Sequence, residues 1–141
     1  MSAAVLIVDD ERNIRATLRM ILEGEGLQVS ESGSGGAALA QMQMQTPDLV
    51  ILDVRLPDMT GLEVLARMQK HNWDGNPCPP VVMISGHATV RGAVEAVQAG
   101  ATDYFDKPLD RDRIVVCVRN VLRTRALELE LSALREGTHA A

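Results

Sequence analysis

Aromatic side chains are nearly absent from this chain: among 141 residues there is one Trp, one Tyr and one Phe. A core must therefore come from Val, Ile, Leu, Ala and Met, which carry nearly all of the 46% hydrophobic content. A lone Tyr at a defined position is also easier to interpret than one among many. Basic charge is in deficit, with 14 Lys and Arg against 19 Asp and Glu, a net charge of −5 and a pI near 5.1. That balance argues against direct nucleic-acid binding, which needs a basic surface to neutralise phosphates. Cysteine is sparse: Cys78 and Cys117 form neither a disulfide framework nor a metal-ligand spacing, a usage that suits a reducing cytoplasm. No apolar run approaches the about 18 residues of a membrane span, and no basic segment precedes the first apolar run, so neither span nor export signal is expected. No GxxxxGK[ST] phosphate loop occurs.

What is present is alternation. Short apolar runs at Ala4–Val8, Leu27–Ser30, Leu49–Leu52, Val81–Ile84 and Asp103–Phe105 are separated by longer amphipathic stretches. Val-, Ile- and Leu-rich runs without polar alternation suit strands buried on both faces of a parallel sheet. Ile14, Leu18, Ile21 and Leu22 line a first helix, with Gly24 or Gly26 offering its stop. Ala37, Ala38 and Met42 give a weaker second helix after a Gly35–Gly36 turn. Leu62, Leu65 and Met68 mark a third; Val90, Val94 and Val97 mark a fourth closed by Gly100; Ile114, Val118 and Val121 mark a fifth. The stretch HNWDGNPCPP from His71 to Pro80 reads as a surface connection. Strand–helix alternation with short links predicts a single doubly wound α/β domain, helices on both faces of the sheet.

In such a sheet, ligands bind beyond the carboxyl ends of the strands. The unusual residues fall there: Asp9 and Asp10 after the first strand, Asp53 after the third, Ser85 and Gly86 after the fourth, Asp106, Lys107 and Pro108 after the fifth. Two like charges about 4 Å apart repel by roughly 4 kcal/mol at an effective dielectric of ~20. Three carboxylates from two strand ends therefore call for a raised pKa or a cation between them. The donor set is hard oxygen with no His or Cys at the strand ends, which suits Mg²⁺ and a phosphoryl-transfer site. Lys107 would add positive charge, and the Ser85 hydroxyl a donor to a phosphoryl oxygen. Taken singly, each residue has an ordinary explanation, Asp10 as the N-cap of the first helix among them. Their arrival at successive strand ends is what coincidence explains poorly.

The segments VLIVDDE (5–11), LVILDVRLPDMTGLE (49–63), VVMISGHA (81–88) and ATDYFDKP (101–108) together resemble the receiver domain of two-component response regulators, across residues 4–122. The resemblance implies a flavodoxin-like (βα)₅ fold with strand order 2-1-3-4-5. It implies that Asp53 accepts a phosphoryl group from a sensor histidine kinase, and that Asp10, Asp53 and the Arg55 backbone carbonyl bind Mg²⁺, with Asp9 acting through a metal-bound water. Ser85 and Lys107 would contact phosphoryl oxygens, Lys107–Pro108 would be a cis peptide, and Tyr104 would be the switch aromatic. Gly86 would leave room for the incoming group, while Pro57 and Gly61 shape the Asp53 loop. Arg55 and His87, each two residues beyond a site residue, stand where the lifetime of the acyl phosphate would be set.

The stretch from Ser85 to Pro108 resembles receivers of the nitrogen-regulation type, which precede a sigma-54-interacting ATPase and a DNA-binding domain. Helical sequence continues past residue 122 through RTRALELELSALRE (123–136), in which Leu127, Leu131 and Leu134 step by four and three with Glu128, Glu130 and Arg135 beside them. Residues 123–141 are therefore expected to form a helical linker, either solvated or a short coiled coil that pairs two receivers together with the face of the fourth and fifth helices. The chain reads as a receiver-plus-linker portion of a transcription regulator, or as a stand-alone receiver. A related aspartate-nucleophile phosphatase would place an acid where Arg55 stands. A purely dimerising receiver would lack one of the acids or the lysine, and all are present.

Overall fold

The apolar runs become one five-stranded parallel sheet in the computed structural model, which describes the backbone of residues 2–140 and side chains through residue 135. The strands are β1 (Ala4–Val8), β2 (Gln28–Ser32), β3 (Leu49–Asp53), β4 (Val81–Ser85) and β5 (Asp103–Asp106), in the order β2-β1-β3-β4-β5. All four pairings are parallel, with Val8 level with Leu52, Asp53 with Ile84 and Ser85 with Asp106. Every residue of β3 and β4 is buried, whereas the edge strands β2 and β5 keep exposed positions. That difference explains why only the central runs are uninterrupted by polar residues.

The helices are α1 (Arg12–Gly24), α2 (Gly35–Met44), α3 (Gly61–Lys70), α4 (Val90–Gln98) and α5 (Arg111–Ala140). Alternate strand residues build two cores. Leu6, Val8, Val50, Leu52 and Met83 pack with Ala38, Met42, Val64, Leu65, Met68 and Ala96 on the α2–α3–α4 face. Val5, Ile7, Leu49, Ile51, Val82 and Ile84 pack with Leu18, Ile21, Leu22, Ile114 and Val118 on the α1–α5 face. Helix α1 stops at Gly26, whose φ of +82° needs glycine, and α4 stops at Gly100, φ +107°.

Three details depart from the sequence reading, and a fourth adds to it. Gly35 and Gly36 are the first residues of α2, not a turn before it, because Ser34 Oγ accepts from the Ala37 N–H and caps the helix. Asp10 does not cap α1; the Glu11 N–H donates instead to Asp9 Oδ1 at 2.8 Å. The 71–80 connection is not purely superficial. Trp73 is buried and its Nε1–H donates to the Met68 carbonyl at 2.9 Å, while Asp74 (φ +56°) and Gly75 (φ +82°) make the tight turn that folds it inward. Lastly, Val90, Val94 and Val97 form α4's exposed face, with Val90 84% exposed, and the helix rests on the sheet through Ala96.

Helix α5 stays packed to Arg125, only 3% exposed, whose Nη1 donates to the Pro77 carbonyl at 2.6 Å. Beyond it Leu127, Leu131 and Leu134 are exposed; the side chains of 136–140 and all of residue 141 lie outside the described residues. Among the described residues no helix is long and apolar enough to cross a membrane.

Candidate functional site

The carboxyl ends of β1, β3, β4 and β5 meet in an open cleft of about 500 Å³ lined by Asp10, Asp53, Arg55, Ser85, His87 and Lys107, among others. Asp9 lies beneath it, fully buried, and Asp53 is 5% exposed, while Asp10 reaches solvent. Each of these three aspartates offers a carboxylate oxygen within 4.8 Å of the other two. Such an all-oxygen set, two buried and one wet, fits a hard divalent cation that keeps part of its water shell.

Lys107 supplies positive charge at the same place. Its Nζ lies 2.8 Å from Asp9 Oδ2, 2.8 Å from Glu11 Oε2 and 3.3 Å from Asp53 Oδ2. Burial alone would lower its pKa, but the Asp9 and Glu11 carboxylates against its ammonium and the charge of Asp53 hold it above the ordinary lysine value. The Asp53 carboxyl is pushed up, first by burial and then by the charge of Asp9, with Lys107 and the Arg55 N–H opposing. A buried acid of raised pKa beside a cation, at the mouth of a cleft, is the arrangement that makes Asp53 the candidate reactive residue.

The loop after β3 holds Asp53 by close packing. A Cβ on Gly61 would lie 2.3 Å from the Asp53 carbonyl oxygen, so only glycine fits. The Gly61 N–H donates to the Val54 carbonyl at 2.7 Å, and Arg55 pairs with Thr60, closing the loop. The strand ends are tied across the sheet as well: the Val54 N–H donates to the Ile84 carbonyl and the Lys107 N–H to the Ser85 carbonyl. The Lys107–Pro108 peptide is cis.

Comparison with known proteins decides the family. Residues 5–119 match the response regulator receiver domain. The chain belongs to that family. It is 37% identical over 140 residues to the nitrogen assimilation regulatory protein NtrX of Azorhizobium caulinodans, covering 98% of this chain and 30% of that protein. It is 41% identical over 130 residues to the alginate biosynthesis transcriptional regulatory protein AlgB of Pseudomonas syringae pv. tomato, covering 92% and 28%. Among solved structures, NtrX from Brucella abortus superposes with a TM-score of 0.83 at 37% identity, over 96% of this chain and 30% of that one. A CheY-like receiver domain protein from Methanospirillum hungatei gives 0.81 at 30% identity, covering 91% and 99%. The receiver thus spans less than a third of the length of NtrX and AlgB.

In this receiver Arg55, Ser85, Gly86 and His87 line the cleft, and Tyr104 does not. Arg55 and His87 are both exposed at its rim. The His87 N–H donates to Ser85 Oγ at 3.1 Å, and the Arg55 N–H to Asp53 Oδ1 at 3.4 Å. Nothing within 4 Å would meet a Cβ on Gly86, so packing around the resting site does not require glycine there. Tyr104 lies outside the cleft, half-buried on β5 level with Met83, its hydroxyl against the first turn of α4.

Sequence reasoning missed two residues. Glu11 entered only as part of a motif, although the DDE triplet places it one residue from Asp10 on the approach to α1. Asp58, in the loop after Asp53, accepts from the Gly35 and Gly36 N–H groups at 2.9 and 2.8 Å, which holds its carboxyl below the usual range. A carboxylate at the N-terminus of α2 also suits the helix dipole. The signal was the Gly-Gly pair, since a Cβ on Gly35 would strike Met59 of that same loop.

Proposed function

We propose that this receiver accepts a phosphoryl group on Asp53 from a sensor histidine kinase, with Mg²⁺ held at the acidic cluster. The observation that supports this best is the convergence of Asp9, Asp10 and Lys107 on a buried Asp53 at an open cleft. Asp10, Asp53 and the Arg55 carbonyl would hold the metal, Asp9 acting through a bound water. When bound, Mg²⁺ supplies positive charge that offsets the carboxylates and the phosphoryl oxygens.

The residues then divide the work. An Asp53 carboxylate oxygen attacks phosphorus; the new O–P bond forms as the P–N bond to the kinase histidine breaks, and the departing imidazole takes a proton. Lys107 stabilises charge on the transferred group from the position it already holds beside Asp53. Ser85 Oγ accepts from the His87 N–H, so its own hydrogen is available for a phosphoryl oxygen. Movement of Ser85 toward that oxygen opens space for Tyr104, remodelling the face made by α4, β5 and α5.

The output follows from that face. Exposed Val90, Val94 and Val97 on α4, with Leu127, Leu131 and Leu134 on α5, offer apolar surface for pairing two receivers, the linker helix extending the contact as a short coiled coil. A role in transcription regulation fits the relatives' names, and their greater length leaves room for output domains; by the resemblance, the regulator would act on sigma-54-dependent transcription in the cytoplasm. DNA contact would then belong to other domains, in keeping with a charge of −5 here.

Incubation with Mg²⁺ and acetyl phosphate, followed by intact mass, tests the reading. A phosphate adduct that is lost in Asp53→Asn supports it; donor turnover without adduct would instead indicate a phosphatase, and no reaction a purely structural receiver. Oligomeric mass with and without beryllofluoride then tests the pairing.

A further inference from the structure

Gly92 is the third residue of α4, where glycine weakens a helix relative to alanine. The space around it accounts for its presence. A Cβ there would stand 2.9 Å from Tyr104 Oη, 3.2 Å from Thr89 Oγ1 and 3.6 Å from Tyr104 Cζ. Thr89 Oγ1 is fixed as the α4 cap by the Gly92 N–H at 2.9 Å, so it has little freedom to yield. The tyrosine hydroxyl is the far end of a side chain that turns about two bonds, so the ring is what moves.

Its destination is constrained by the sheet. Tyr104 is level with Met83 on β4 and packs in the same core, and Ser85 is two residues further along that strand on the same face. A ring displaced from the α4 turn remains on the face that carries Ser85. We propose that Gly92 is a positioning residue whose missing side chain seats the Tyr104 hydroxyl, and that side-chain size at position 92 sets the resting position of the tyrosine. The inference rests on the reading of Tyr104 as the switch aromatic, and gives that switch a defined resting state.

Tyr104 is the chain's only tyrosine, so ring-labelled [¹³C]tyrosine in the full chain gives one set of aromatic signals. The wild type with Mg²⁺, with and without beryllofluoride, marks the two limiting positions. In Gly92→Ala without beryllofluoride, the signal is expected to shift toward the beryllofluoride-bound position, and adduct formation from acetyl phosphate to become several-fold faster. In Tyr104→Phe, which lacks the atom met at 2.9 Å, adding Gly92→Ala is expected to leave that rate unchanged. A tyrosine signal that does not move in Gly92→Ala overturns the proposal. An equal rate effect in both backgrounds also overturns it, placing the cause in the Thr89 cap. Failure of beryllofluoride to move the wild-type signal would sink the switch reading instead, while the Gly92→Ala spectrum still decides the seat.

Discussion

Lys107 Nζ lies closer to Glu11 Oε2, at 2.8 Å, than to Asp53 Oδ2, at 3.3 Å. The lysine is thus shared with an exposed carboxylate that takes no part in the metal cluster. An exposed ion pair of this kind is worth about 0.5–1 kcal/mol. Glu11→Gln releases that hold, and phosphorylation of Asp53 by acetyl phosphate is expected to accelerate roughly two- to fivefold. A rate equal to or below wild type would remove Glu11 from the account.

Asp53 makes the unliganded fold sensitive to pH. Its folded pKa lies above the ordinary carboxylate value because of burial and Asp9. The ionised form is therefore disfavoured by folding, and stability falls as pH rises from the ordinary carboxylate range through the raised value. In EDTA, Asp53→Asn is expected to gain urea resistance over wild type across that window and to keep the gain at neutral pH. Denaturation midpoints at acid and neutral pH check this, and a variant less stable than wild type at neutral pH would contradict it.

Gly61→Ala forces a methyl group against the Asp53 backbone. With nothing flexible to yield at 2.3 Å, the loop must shift, at a cost of about 1–3 kcal/mol. Both the denaturation midpoint and the yield of phosphate adduct are expected to fall. Full adduct yield at wild-type stability would show that the loop accommodates the change.

Arg125→Ala tests the attachment of α5. The buried guanidinium bonds the Pro77 carbonyl, and its loss leaves that oxygen without its donor and opens a void. The expected loss is about 1–3 kcal/mol, with faster amide exchange in residues 73–80 and in α5 beyond Leu122. Exchange unchanged in both segments would mean that the apolar contacts of α5 suffice.

Arg55 and His87 both stand exposed in the lining of the cleft. Alanine at each opens the approach of water to an acyl phosphate, and the adduct is expected to decay roughly fivefold faster, about 1 kcal/mol of barrier. Decay followed by intact mass decides it; unchanged lifetimes would assign both residues to the solvated surface.

Much of this was legible because the central strands and the site obey local rules. A strand buried on both faces must be apolar throughout, so Leu49–Leu52 and Val81–Ile84 declared themselves, and polar residues directly after them pointed to the cleft. Contacts across the sheet edge were not legible. Nothing local to Asp58 says that it caps α2, and nothing local to Glu11 says that Lys107 reaches it. Trp73 hid inside a Pro- and Asn-rich loop, although its Asp-Gly turn was readable. The α4 valines marked a helix that is present, but an apolar stripe at helical spacing shows that a face exists, not which way it points.

That last feature bears on how little work it takes to move α4. Its valines face away from the sheet, only Ala96 is fully buried, and β-branched Val90, Val94 and Val97 with Gly92 are poor helix formers. Shifting such a helix vacates almost no core volume, so the displacement carries little of the cavity penalty that would accompany moving α1 or α3. Helix α4 is therefore the soft component of an otherwise stiff domain, and hydrogen exchange should find it opening well below the global unfolding free energy.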